Sequence, residues 1–286
     1  MSAVLLDGIA ISRQIREKAK ARVAALHKSD GVIPGLAVIL VGDDPASRIY
    51  VSHKIKACAE VGIRSALHAF PVDVEAGAII DQIERLNRDP GTHGILVQLP
   101  LPAHLDIQAI LRTIAVEKDV DGFHLYNVGG LVIGGTVFPP CTPYGVMKLL
   151  DSAGIEVEGR NVTIVGASNI VGKPMALMLL RREATVAICH AKTRDLAQYT
   201  ILADILVVAA GVPGLITAQM VRHGAVVIDV GINRLANGRL VGDVEFEGVS
   251  RKASYISPVP GGVGPMTVTM LLENTLLAAE RGAKPG

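Results

Sequence analysis

Short apolar runs alternate with segments of helical period along most of the chain. Ile11, Ile15 and Ala19 recur on one face of residues 7–28, which predicts a helix with basic residues on its other side. Residues 36–41 then read as a buried strand, 46–61 as a helix and 64–70 as a strand. A further helix, about 75–87, stops before Asp89-Pro90-Gly91, and 94–98 gives the next strand. The rhythm breaks over residues 127–140, where Gly129, Gly130, Gly134, Gly135, Pro139 and Pro140 predict irregular backbone and a domain junction. A helix at about 143–153 opens a second set, with strands at 161–165, 185–189, 205–209 and 226–230. The dense run Pro258-Val259-Pro260-Gly261-Gly262-Val263-Gly264-Pro265 leads to a last helix, about 266–280. The alternation predicts an α/β fold with a largely parallel sheet.

Length agrees, since 286 residues at ~150 per domain give about two domains. Half the residues are apolar, 19% are charged and the net charge is +1, so disorder is excluded. That balance gives no basic footprint for nucleic acid or an acidic membrane, and no Trp, four Phe and five Tyr leave few stacking platforms. Mean hydropathy is +0.41, yet the longest apolar stretches, such as 205–212, fall far short of the ~18 residues of a spanning helix. Met1-Ser2-Ala3-Val4 carries no basic, then apolar, leader pattern. Cys58, Cys141 and Cys189 lack metal-ligand spacing and form no disulfide framework. The expectation is a cytoplasmic, metal-free protein, with the first few residues and the tail Ala283-Lys284-Pro285-Gly286 mobile.

Two regions carry candidate chemistry. The strand 161–165 runs into Gly166-Ala167-Ser168-Asn169-Ile170-Val171-Gly172-Lys173-Pro174 and then a helix. Strand, glycine turn and helix N-terminus together accept a pyrophosphate; Gly166 permits the turn and Gly172 lets the helix pack close. Ser168 replaces the usual middle glycine, and its hydroxyl can donate to a phosphate. The next strand ends in Cys189-His190-Ala191-Lys192-Thr193-Arg194, with no carboxylate for a ribose 2′-hydroxyl until Asp195. Lys192 and Arg194 suit a 2′-phosphate, which favours NADP; as solvated loop cations they would say nothing.

In the first half, Tyr50 and Lys54 stand four apart on a helical segment and share a face. A lysine partly withdrawn from water loses pKa and can serve as a general acid/base, and the tyrosine ring offers a stacking surface. Gln98 sits where the strand Gly94-Ile95-Leu96-Val97 meets Leu99-Pro100-Leu101-Pro102, the end at which ligands gather in open α/β sheets. Lys118-Asp119-Val120-Asp121-Gly122 places carboxylates in a loop, able to hold a polar heterocycle or merely to form a turn with a local ion pair. His53 and His124 read as surface or structural histidines.

These motifs, in this order and over essentially the whole chain, resemble bifunctional methylenetetrahydrofolate dehydrogenase/methenyltetrahydrofolate cyclohydrolase. The matching segments are Tyr50-Val51-x-x-Lys54, Val97-Gln98-Leu99-Pro100-Leu101-Pro102, Lys118-Asp119-Val120-Asp121-Gly122, Pro140-Cys141-Thr142-Pro143, the Gly166 to Pro174 turn and Pro260-Gly261-Gly262-Val263-Gly264-Pro265-Met266-Thr267. The resemblance implies two α/β domains flanking a cleft: residues 1–140 with 266–286 for folate and catalysis, and 141–265 as a Rossmann-type dinucleotide domain. It implies Lys54 as the catalytic lysine, Gln98 orienting it, Tyr50 stacking on the folate and Asp121 bonding the pterin's amino edge. Leu99, Pro260 and Gly261 would also line the folate. Thr142, Gly166, Ala167, Ser168, Ile170, Gly172, Ile232, Gly264 and Thr267 would line the cofactor, with Lys192 added by position. The implied reaction is hydride transfer from 5,10-methylenetetrahydrofolate to NADP, then hydrolysis to 10-formyltetrahydrofolate, by a homodimer that needs no metal. Some relatives carry Arg where this chain has Ala167 and Ser where it has Ala191, both associated with the 2′-phosphate, so NAD stays open. Tyr50-x-x-x-Lys54 also matches short-chain dehydrogenases, but there the pair follows the glycine turn within one domain. A monofunctional dehydrogenase and a non-catalytic dinucleotide-binding protein are the remaining alternatives.

Overall fold

The computed structural model describes residues 2–283; Met1 and residues 284–286, where most of the expected mobile tail falls, lie outside the described residues. The chain opens with β1 (Val4–Leu5), α1 (Gly8–Asp30), β2 (Gly35–Val41), α2 (Pro45–Val61), β3 (Arg64–Phe70), α3 (Ala76–Arg88) and β4 (Gly94–Val97). Next come α4 (Ile107–Thr113), α5 (Leu125–Ile133), α6 (Cys141–Ser152), β5 (Asn161–Val165), α7 (Gly172–Leu180), β6 (Thr185–Cys189), α8 (Ala197–Thr200), β7 (Ile205–Val208) and β8 (Val226–Asp229). A short hairpin of β9 (Asn233–Arg234) and β10 (Leu240–Val241) precedes α9 (Phe246–Ser250), β11 (Tyr255–Ile256) and α10 (Val263–Ala283).

The chain divides into two compact units, with boundaries inside α1, at the start of α6 and inside α10. One unit takes Gln14 to Cys141 and the chain from Val268 onward. Its sheet has three parallel strands in the order β3-β2-β4. Every residue of β2 and β4 is buried, which is why both read as continuous apolar runs. Ile39, Ile95 and Val97 pack with Ile79 and Ile83 of α3 and Ile110 of α4 in one core. The end of α10 is fastened to α1 by Arg22, which donates to Glu273 at 2.7 Å and to both carboxylate oxygens of Glu280 at 3.0 and 2.8 Å.

The other unit takes the chain up to Arg13 and from Thr142 to Thr267. Its six parallel strands run β6-β5-β7-β8-β11-β1, and Leu206, Val208, Val227 and Ile256 fill one side of the sheet. Residues 1–13 were expected with the first domain, and the first few of them as mobile, but Val4–Leu5 is the strand β1 and pairs with β11, Val4 beside Tyr255 and Leu5 beside Ile256, so this segment completes the second sheet. An isolated apolar pair at the chain start does not say which sheet edge will take it.

A second difference lies at residues 127–140, expected to be irregular throughout. Leu125–Ile133 is helical, started by His124, whose Nδ1 accepts from Tyr126 N, and closed by Gly134 at φ +91°. Gly130 does not break this helix. A Cβ there would lie 2.5 Å from Thr136 N, so the glycine admits the returning backbone.

Candidate functional site

The unit with the three-stranded sheet brings Lys54 and Gln98 together. Asp44 starts α2 by accepting from Ser47 N at 2.7 Å, with Pro45 in the first turn, and the helix then carries Tyr50 and Lys54 one turn apart. Gln98 follows the last residue of β4. Lys54 Nζ donates to Gln98 Oε1 at 2.9 Å, while Gln98 Nε2 donates to Leu99 O at 2.7 Å. The second bond fixes the amide: turned over, its NH₂ would face the ammonium and its oxygen the Leu99 carbonyl. Tyr50 is 38% exposed, leaving the ring open to a ligand. Asp121 is close enough for the Lys54 charge to act on it; burial raises its carboxyl above the usual range, opposed by Lys54 and by a hydrogen bond from the Cys141 thiol.

The loop carrying Asp121 is held from below. Asp119 is 1% exposed, and its carboxylate accepts from Phe123 N at 3.2 Å, His124 N at 2.8 Å and Asn127 Nδ2 at 2.7 Å. Burial pushes this carboxyl up to about 6 against those three donors. The sequence left a local ion pair open here, but Lys118 instead donates to Leu86 O and Asp89 O. Gly122 has φ +78°, and a Cβ there would meet the 138–140 backbone within 2.9 Å. Asn274 of α10 donates to Val120 O at 2.8 Å and Pro139 O at 3.1 Å, closing the same layer.

The unit with the six-stranded sheet holds the glycine turn. From β5 the chain goes outward to β6 and then back past β5 to β7, so β5 and β7 flank the point where strand order reverses, the usual crevice for a dinucleotide. Gly166 stands there at φ +121°, where a Cβ would lie 2.1 Å from Ala209 O. A Cβ on Gly172 would lie 1.8 Å from Gly166 O, so turn and helix meet backbone to backbone. Ser168 Oγ accepts from Val171 N at 3.1 Å and Gly172 N at 3.4 Å, which leaves its proton free to be donated outward. Ala167 is half-buried, whereas Ile170 and Lys192 are exposed. The Lys192 loop starts beside the turn, since Gly166 N donates to Cys189 O at 2.9 Å. Ile232, just past β8, lies 3.5 Å from where a Gly264 Cβ would be, and Thr142 Oγ1 is 3.0 Å from Thr267 Oγ1. Pro260 and Gly261 belong to this unit, unlike the other expected folate residues; Ile9 N donates to Gly261 O at 3.2 Å.

Sequence reasoning passed over a pair of buried aspartates in this unit, Asp229 at the end of β8 and Asp243 after β10, 4% and 0% exposed. The available signal was the glycine near each, at Gly231 and Gly242. Cβ atoms there would lie 2.2 Å from Asp243 Oδ1 and 1.8 Å from Asp229 Oδ2. Among the described residues no group of three His, Cys, Asp or Glu side chains is placed to hold a metal ion, and no helix is long and apolar enough to cross a membrane.

With this geometry established, comparison places the chain. Residues 6–121 match the catalytic domain of tetrahydrofolate dehydrogenase/cyclohydrolase, and residues 140–283 match the NAD(P)-binding domain of the same family. The bifunctional protein FolD of Nitrosospira multiformis is 60% identical over 98% of this chain and 97% of its own. The crystal structure of the bifunctional enzyme FolD, a methylenetetrahydrofolate dehydrogenase/cyclohydrolase from Campylobacter jejuni, superposes with a TM-score of 0.96 at 54% identity, covering 98% of this chain and 99% of that one. The methylenetetrahydrofolate dehydrogenase-cyclohydrolase of Trypanosoma brucei, solved with NADP and an inhibitor, gives a TM-score of 0.97 at 41% identity over the whole of both chains. Two domain matches in the right order and near full-length identity above half leave one conclusion: the chain belongs to the tetrahydrofolate dehydrogenase/cyclohydrolase family.

Proposed function

We propose that this chain oxidises 5,10-methylenetetrahydrofolate to 5,10-methenyltetrahydrofolate with NADP and then hydrolyses the product to 10-formyltetrahydrofolate. The observation that carries the reading is the Lys54–Gln98 hydrogen bond with Asp121 in electrostatic reach, in a chain of this family. In this reading the unit with the three-stranded sheet takes the folate, and the unit with the six-stranded sheet takes the dinucleotide.

NADP, when bound, supplies the hydride acceptor. The residues present fit it: Gly166 and Gly172 let turn and helix close backbone to backbone, as a dinucleotide turn requires, Ser168 retains a proton to donate, and Lys192 and Arg194 offer exposed charge for a 2′-phosphate. The NADP bound by the Trypanosoma brucei relative supports the same choice. Thr142, Ala167, Ile170, Ile232, Gly264 and Thr267 line that site in this reading. Tyr50 stacks on the folate, Asp121 accepts from the amino edge of its pterin, and Leu99, Pro260 and Gly261 complete the contact. Loss of hydride from the methylene carbon leaves a methenyl cation, so the folate itself becomes the electrophile. Lys54 Nζ takes the proton released as water adds to that carbon and returns one to N5 as the carbon–N5 bond opens. Gln98 holds Nζ in line for both transfers. A dehydrogenase lacking the second step would have no use for this pair.

The test is turnover of methylenetetrahydrofolate with NADP and with NAD, following reduced cofactor and methenyl species separately. NADP is expected to be preferred, and replacing both Lys192 and Arg194 by Ala to raise its KM about tenfold while leaving NAD nearly unchanged. Failure of the wild type to reduce either cofactor would overturn the reading at its centre.

We also read the chain as a cytoplasmic homodimer. What supports the dimer is β6 at the edge of the sheet, with Ile188 exposed on it, and the exposed Tyr199, Ile201 and Leu202, which line an apolar depression of about 580 Å³ with residues of β5 and β6. Light scattering is expected to give about twice 30.0 kDa; a monomer mass at assay concentration would exclude it.

A further inference from the structure

The buried aspartate pair stands at the carboxyl ends of β7 and β8, which are adjacent in the sheet with Val208 beside Asp229. Asp229 Oδ1 accepts from Gly231 N and Asp243 N, each at 3.0 Å, and its Oδ2 accepts from Val244 N at 2.9 Å. Asp243 then reaches across to the loop after β7: its Oδ2 accepts from Ala210 N at 2.7 Å and Gly211 N at 2.8 Å. Its other oxygen accepts from Asn233 Nδ2 at 2.8 Å. The two carboxylates therefore form a relay, in which the end of β8 fixes residues 243–244, and Asp243 fixes two loops in turn. One is the loop behind Ala209, whose carbonyl bounds the Gly166 crevice; the other carries Ile232. Every donor in the relay is a backbone amide or the Asn233 amide. Nothing there requires charge for fastening alone, and burial with the neighbouring Asp243 pushes Asp229 up to about 6.

We propose that Asp243 is a positioning residue for the dinucleotide, setting through Ala210–Gly211 the loop behind the Gly166 turn and through Asn233 the loop that carries Ile232. The inference rests on the NADP reading above and adds to it a residue that does not touch the cofactor. An acceptor with two oxygens is needed because the two loops present donors from opposite sides. Asn at this position serves only one side: its oxygen can take the Ala210 and Gly211 amides, but its NH₂ then faces the Asn233 NH₂. Changing Asn233 to Asp at the same time reverses that contact and restores every bond.

The experiment is calorimetric titration of NADP into the wild type, Asp243→Asn and Asp243→Asn/Asn233→Asp, with hydrogen exchange of the 209–211 amides alongside. The single variant is expected to bind about tenfold more weakly and to lose protection at Ala210 and Gly211. The double variant is expected to return to within about threefold of wild type with protection regained. Unchanged NADP binding in Asp243→Asn, or a double variant as weak as the single, overturns the proposal. If the single variant does not fold, the double variant decides: near wild-type binding supports the relay, and weak binding overturns it. Failure of the wild type to bind NADP would instead strike the functional reading, so the two failures are distinguishable.

Discussion

Lys54→Met is expected to lower methenyl hydrolysis by about a thousandfold, some 4 kcal/mol of barrier, while hydride transfer to NADP continues and methenyl product accumulates. The reason lies in what the variant keeps. Methionine preserves an unbranched stem in α2, so packing changes little; what disappears is the Nζ that donates to Gln98 Oε1 at 2.9 Å. Gln98 is half-buried, so water can take up its freed oxygen. Hydride transfer depends chiefly on holding two carbons at near-attack distance, to which Nζ adds little. Hydrolysis needs a group that both takes and returns a proton. Lys54→Arg separates the two roles a cation can play, because guanidinium keeps the charge but does not give up its proton. We expect Arg to leave hydrolysis almost as low as Met does. Recovery of hydrolysis in the Arg variant would show that charge alone matters, and equal loss of both activities would show a folate-binding role instead.

What the sequence made legible followed from how local each signal is. β2, β4 and β7 were readable because strands buried on both faces are continuous apolar runs, and the Gly166 turn because a backbone constraint writes itself into a fixed spacing. The Tyr50 and Lys54 pair needed only helical periodicity. Its meeting with Gln98 joins residues 44 apart and rests on the parallel β2–β4 pairing, which no local pattern encodes. The same limit hid β1, whose partner β11 lies at the other end of the chain. It hid Asp243 as well. A carboxylate satisfied by two backbone amides of one loop and a side-chain amide of another looks, in sequence, like any polar turn residue. Gly130 shows the opposite limit: a glycine-rich stretch predicts irregular backbone, whereas here the glycine sits in a helix as a point of close approach.

The same distinction between glycines sets the second large effect. Gly172→Ala is expected to weaken NADP binding by about a hundredfold or more and to destabilise its unit by about 1–3 kcal/mol in urea unfolding. The added Cβ would sit 1.8 Å from Gly166 O and 2.7 Å from Gly166 C, backbone atoms that cannot rotate away as a side chain does. Gly166 is itself pinned by the hydrogen bond its N–H donates to Cys189 O and by Ala209 O on its other side, so the turn cannot yield without opening β5 from its neighbours. The helix must move instead, and with it Ser168, whose oxygens accept from Val171 N, Gly172 N and Lys173 N and whose hydroxyl donates to the pyrophosphate in our reading. Gly77→Ala is the matched comparison: it lies in α3 with nothing within 4 Å of an added Cβ, and it is expected to gain about 0.5 kcal/mol. If Gly172→Ala bound NADP within about threefold of wild type, contact this close would not be what shapes the crevice, and the dinucleotide would have to be held elsewhere.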